Sequence, residues 1–104
     1  MARLESQFQS DLISTIQDVV PGSYILKNDA NYKPGFPDLL VLAPSGKWAA
    51  LEVKKCESDA APNKLRPNQE YYYVRDLNEK SYASFVYPEN KEEVLDALQQ
   101  ALRA

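Results

Sequence analysis

The chain has no histidine and a single cysteine, Cys56. The first absence, with no second thiol to compensate, excludes a zinc site of the usual kind, and the lone cysteine excludes an intrachain disulfide. Such cysteine usage suits a reducing cytosol. Any metal would have to be a hard cation held by oxygen, meaning magnesium, calcium or manganese. Long apolar runs are also missing. The longest, Leu39 to Ala43, is far too short to span a bilayer, and Arg3, Glu5 and Gln7 stand where a secretory signal needs apolar residues, so no membrane partner is expected. There is no internal repeat, low-complexity tract or linker. Excess positive charge is lacking too: the net charge is −3 and the pI about 4.9, which argues against coating nucleic acid by bulk electrostatics.

What is present fits one globular domain over residues 1–104, with 44% hydrophobic and 26% charged residues. A chain this short buries roughly 60–70% of its unfolded surface, so its core leaves little margin for unpaired charge. The basic residues are unevenly spread: Lys27, Lys33, Lys47, Lys54, Lys55, Lys64 and Arg66 fall in the middle of the chain, while the C-terminal segment is acidic. A small basic face remains compatible with the acidic total.

Leu4, Phe8, Leu12, Ile16, Val19 and Val20 recur at helical spacing before Pro21-Gly22, which predicts an amphipathic helix over residues 3 to 20. Tyr24 to Lys27 reads as a short strand. Two strands of a hairpin follow, the second running from Trp48 to Lys55. Pro67 suits a first helical turn, and Tyr73, Val74 and Leu77 give a second helix from Gln69 to near Asn78. Ala83 to Tyr87 reads as a strand. Asn90 with Glu93 resembles a capping box, ahead of a closing helix with the stripe Val94, Leu95, Leu98 and Leu102. The predicted order is αβββαβα, an α/β fold, with residues 56 to 66 as its candidate mobile loop.

The hairpin carries charge where burial is expected. If its loop runs from Ala43 to Lys47, Leu42 faces Trp48, and counting back along both strands brings Asp38 opposite Glu52. Lys54 shares the Glu52 face, while Leu51 and Val53 point the other way. Facing carboxylates repel unless a cation lies between them. In the first helix Glu5 projects near the centre of the apolar stripe, a costly place for a carboxylate unless it is hydrogen-bonded, protonated, near a metal or lysine, or left in water by fraying of the first turn. Taken singly, Asp38 is an ordinary turn residue after Pro37, and Glu52 with Lys54 a weak surface ion pair. Together, three carboxylates and a lysine match what metal-assisted phosphodiester hydrolysis requires. Trp48 shares the Glu52 face and reads as a wall of the site or as core. Tyr71, Tyr72 and Tyr73 offer rings for stacking on bases, but three consecutive helical residues point in three directions, so at least one belongs to the core.

Pro37-Asp38 followed across a hairpin by Glu52-Val53-Lys54 resembles the PD-(D/E)XK nuclease superfamily, whose common core is αβββαβ. Within it, Gly35-Phe36-Pro37-Asp38-Leu39-Leu40, Leu51-Glu52-Val53-Lys54 and Leu65-Arg66-Pro67-Asn68-Gln69 resemble the VRR-NUC (virus-type replication and repair nuclease) family, with similarity over roughly residues 3 to 87. The resemblance implies a restriction-endonuclease-like core with a C-terminal helix and a mixed central sheet flanked by helices. It implies Mg²⁺ or Mn²⁺ bound by Asp38, Glu52 and the Val53 backbone carbonyl, with Glu5 as a further site residue, Lys54 as the catalytic lysine and Gln69 positioning water or phosphate. Lys33, Lys55, Lys64 and Arg66 would contact DNA, although Glu57 and Asp59 dilute the basic character of that stretch. Small free-standing proteins of this pattern include phage junction resolvases, so the expected substrate is branched or four-way junction DNA in a bacterial or phage-infected cell. Symmetric cutting with one site per chain implies a homodimer. A nicking enzyme or repair exonuclease is open beside junction resolution, and a noncatalytic nucleic-acid or protein-binding module on the same fold is the alternative from another class.

Overall fold

The computed structural model describes the backbone at residues 2–28, 36–57 and 69–103, and side chains there except at 2–5 and 69–71. Helix α1 (Ala2–Val19) leads into β1 (Tyr24–Lys27), β2 (Leu39–Leu42) and β3 (Trp48–Val53); α2 (Gln69–Lys80), β4 (Tyr82–Val86) and α3 (Lys91–Ala101) follow. The order αβββαβα is the expected one. No helix among the described residues is long and apolar enough to cross a membrane.

Leu12 and Ile16, one turn apart, are fully buried, and Phe8, Ile13 and Val19 flank them, so α1 is held by one apolar stripe. Its stop is Gly22, whose φ of +86° suits a residue without Cβ; a Cβ there would also stand 3.0 Å from the Pro44 ring. Main-chain bonds define the β2–β3 turn: Gly46 N–H donates to the Ala43 carbonyl at 3.0 Å and Ala43 N–H to the Lys47 carbonyl at 2.9 Å. Pro44 presets its first bend, and Gly46, at φ +90°, takes the left-handed position that closes it.

The four strands form one mixed sheet in the order β1-β2-β3-β4. The first two pairings are antiparallel. β3 and β4 are parallel, with α2 in the connection between them. Leu39, Val41, Leu51, Val53 and Val86 line one face and pack on Leu12 and Ile16 of α1 and on Val94, Leu95 and Leu98 of α3. The opposite face carries Ala50 and Ala83, joined by Val74 and Leu77 of α2 and by Leu40, Trp48 and Phe85. Three layers result, with β3 between helices on both sides. Because α2 packs on β3 and β4, its face of the sheet stays open over β1 and β2, where Tyr24, Leu26 and Leu42 are exposed.

Several boundaries differ from the sequence reading. The strand expected to reach Lys55 ends at Val53, although Lys54 N–H still donates to the Val86 carbonyl at 2.9 Å. Helix α2 passes Asn78 and ends at Lys80. Asn78 does not end it; its side-chain oxygen accepts the Ala83 N–H at 3.1 Å and ties the helix to β4. The fourth strand is Tyr82–Val86, one residue earlier than read. The capping box at Asn90 is not formed: no side-chain bond caps α3. A short 3₁₀ turn, Pro88–Asn90, precedes that helix, and the Asn90 amide reaches back instead, accepting from Tyr87 N–H at 2.9 Å and donating to the Phe85 carbonyl at 3.1 Å.

Candidate active site

The site lies at the open end of the β2–β3 hairpin. Pro37 is fully buried, and the ring of Phe36 meets Tyr73 of α2 edge-on, centroids 5.3 Å apart at 63°. Asn28 adds two bonds, its N–H to the Asp38 carbonyl at 2.7 Å and its side-chain amide to the Phe36 carbonyl at 3.4 Å. The residues preceding β2 are thus fixed to α2 and β1 before Asp38 presents its carboxylate.

Leu39 faces Leu51 in the antiparallel register, so one further step brings Asp38 opposite Glu52, as the hairpin count requires. Asp38 Oδ2 accepts the Val53 N–H at 2.9 Å. Glu52 is 4% exposed, and its Oε2 lies 3.4 Å from the Lys54 ammonium, on a side chain only 16% exposed. The sheet's alternation puts both on the α2 face, while Leu51 and Val53 enter the core beneath. The pair is therefore not the solvated surface contact that either residue alone would suggest. Two desolvated charges of this kind contribute little net stability over an apolar replacement, whereas removing one leaves the other charge buried at high cost.

Asp38, Glu52 and Lys54 are the predicted site residues that the structure brings together. Val53 adjoins them through its main chain. Glu5 and Gln69 are placed by backbone alone, within α1 and at the first position of α2, and their side chains lie outside the described residues. Lys33, Lys64 and Arg66 lie wholly outside them, and Lys55 is exposed just beyond the pair. Lys47 is at the opposite end of the hairpin, where its ammonium donates to the Arg103 carbonyl at 2.7 Å, so the basic cluster of the sequence is divided. Trp48 packs in the smaller core cluster with Ala50 and Val74. Of the two tyrosines whose side chains are described, Tyr73 packs, against Phe36, and Tyr72 is 63% exposed with its ring against Tyr73; the Tyr71 side chain lies outside the described residues.

The sequence reading missed two supports of the site, the Phe36–Tyr73 contact and the Asp38–Val53 bond. Both depend on where α2 and β3 lie beside the hairpin, and the only sequence signal for the first is an aromatic ahead of Pro37. Among the described residues no group of three or more histidines, cysteines or carboxylates could hold a metal ion. Asp38 and Glu52 offer carboxylate oxygen, the donor type that a hard divalent cation takes. Comparison with protein-family models, curated proteins and solved structures found no match.

Proposed function

We propose that the protein is a metal-dependent nuclease hydrolysing DNA phosphodiester bonds, with branched or four-way junction DNA as its substrate. The observation that carries this reading is the buried Glu52–Lys54 pair, 3.4 Å apart at the end of β3, with the Asp38 carboxylate bonded to the intervening Val53 N–H, one step beyond the Leu39–Leu51 pairing. Supporting it are the resemblance of Pro37-Asp38 and Glu52-Val53-Lys54 to the PD-(D/E)XK pattern and the agreement of the first six elements with an αβββαβ core. Asp38, Glu52 and the Val53 carbonyl would hold Mg²⁺ or Mn²⁺, which when bound withdraws charge from the phosphate and lowers the pKa of coordinated water. Glu52 and Asp38 orient the attacking water. The water oxygen would bond to phosphorus as one ester P–O bond breaks, the water giving a proton to solvent and the departing ester oxygen taking one up to leave as a hydroxyl, while the Lys54 ammonium neutralises charge building on the phosphate oxygens. On this reading Glu5 and Gln69 complete the site, and Lys33, Lys55, Lys64 and Arg66 contact flanking phosphates.

One observation favours a noncatalytic binding module. The Val53 N–H already engages Asp38, and the Lys54 ammonium already offsets Glu52, so the three charges have structural partners in their own right. Cleavage of duplex, single-stranded, flap and four-way junction DNA, each with Mg²⁺ or Mn²⁺, decides between the readings. Cutting that is lost in Asp38→Ala, Glu52→Ala and Lys54→Ala, with metal binding lost only in the first two, supports the nuclease. No cutting of any substrate, with no metal binding, overturns it.

A further inference from the structure

The two edges of the sheet are finished differently. At β4 three outward main-chain groups are already engaged: the Asn78 side chain accepts from Ala83 N–H, Asn90 accepts from Tyr87 N–H, and the Phe85 carbonyl receives the Asn90 amide and the Ser84 hydroxyl. A further strand cannot add there without displacing them. At β1, Asn28 N–H donates to the Asp38 carbonyl, so the antiparallel alternation turns the main chain of Ile25 and Lys27 away from β2. Among the described residues no side chain bonds to those groups. Beside them lie Tyr24, 74% exposed, Leu26, 50%, and Leu42, 37%, on the face of the sheet that α2 leaves open. An apolar strip along an unblocked edge is the ordinary signature of an interaction surface.

We infer that β1 pairs antiparallel with β1 of a second copy of this chain, about a two-fold axis at Ile25. The strand is self-complementary in that register. Ile25 exchanges both main-chain bonds with the partner's Ile25, and Lys27 stands opposite the partner's Ser23, away from the other lysine. Tyr24 meets the partner's Leu26, and Leu26 the partner's Tyr24, at the close non-hydrogen-bonded positions where cross-strand side chains interact most. A two-fold contact uses the β1 edge of both copies, and with those β4 groups engaged, association ends at two copies instead of growing into a fibre. Three exposed apolar side chains are far fewer than the roughly 20–30 residues a side of a standard interface, so the dimer is a reversible one. The inference deepens the junction-nuclease reading, which needs two sites, but its test does not use cleavage.

Sedimentation equilibrium across a wide protein concentration range should give a reversible monomer–dimer transition. Tyr24→Glu and Leu26→Lys, both at exposed positions, should each weaken it at least about tenfold, the effect of losing one buried apolar contact. Tyr72→Glu, at an exposed tyrosine on α2, should leave it unchanged. Mixing Tyr24→Glu with Leu26→Lys should restore a heterodimer, because the register sets the introduced carboxylate opposite the introduced ammonium at one crossing and leaves Tyr24 against Leu26 at the other. A monomer at every concentration overturns the inference, as does a dimer broken by Tyr72→Glu or one whose two variants fail to complement while circular dichroism shows both folded. Loss of DNA binding in Tyr24→Glu together with a gain in Leu26→Lys, on a protein that stays monomeric, would assign the strip to nucleic acid and overturn it equally. Dimerisation without cleavage would leave this inference standing and remove the nuclease reading alone.

Discussion

The two ends of the β2–β3 hairpin both hold lysines, and they hold them for different reasons. At the turn end, the Lys47 ammonium donates to the Arg103 carbonyl at 2.7 Å and the Ser45 hydroxyl to the Leu102 carbonyl at 2.8 Å, both just past the C-terminus of α3. A cation and a donor at that position satisfy orphan carbonyls and oppose the helix dipole, so the fold itself accounts for them. At the open end, Lys54 is largely buried against Glu52 with Asp38 alongside, and an apolar pair would serve stability as well or better. The difference teaches where to look for chemistry: charge that caps a helix explains itself, whereas charge that the fold desolvates without need points to a function.

The largest expected break in that comparison is Lys54→Met. It removes the ammonium and leaves the Glu52 carboxylate buried, which should cost about 3 kcal/mol in urea denaturation and, on the nuclease reading, reduce cleavage at least about a hundredfold. Glu52→Met with Lys54→Met sharpens the point: stability should return to near the parental value while cleavage stays lost. If the double variant is as unstable as Lys54→Met, the pair belongs to the architecture of β3 and the contrast between the two ends fails.

The turn end should respond more mildly. Ser45→Ala should cost about 1 kcal/mol for one hydrogen bond, and Lys47→Met about 0.5 kcal/mol for an exposed cation at a helix terminus, an effect that shrinks as salt is raised. Neither should change cleavage, and a loss of activity in either would erase the division of labour between the ends.

The smallest effect is alkaline. Burial, chiefly, raises the Tyr82 pKa above its usual value; Glu93 adds to this and a hydrogen bond with Ser84 opposes it. The unfolded chain therefore loses this proton first. The stability that the neutral phenol contributes is complete below about pH 10 and is lost as pH rises through the folded-state value. Tyr82→Phe should flatten that decline in a series of melting curves; equal slopes in both proteins would refute it.

Much of this architecture was legible because short-range rules govern it. The 3.6-residue recurrence from Phe8 to Val19 and the Pro21-Gly22 stop could produce little but α1, and the Ala43–Lys47 turn fixed the register that brings Asp38 opposite Glu52. Asn90 shows the limit. A polar residue ahead of a helix with glutamate at the third position satisfies the capping pattern, yet its amide turns back to Phe85 and Tyr87, because the 3₁₀ turn holds those main-chain groups within reach.

The sequence by itself determined the element order, the face on which Glu52 and Lys54 lie and the pairing that opposes Asp38 to Glu52, since all three follow from periodicity and from a turn only a few residues long. Only the tertiary structure decided what those charges experience. Desolvation is a property of what packs nearby, and Glu52, on a central strand flanked by β2 and β4, is 4% exposed. The same holds for the strip at β1: Tyr24, Leu26 and Leu42 are apolar residues that a strand pattern assigns to a core, and they remain in solvent because α2 crosses the sheet over β3 and β4 and stops short of β1 and β2.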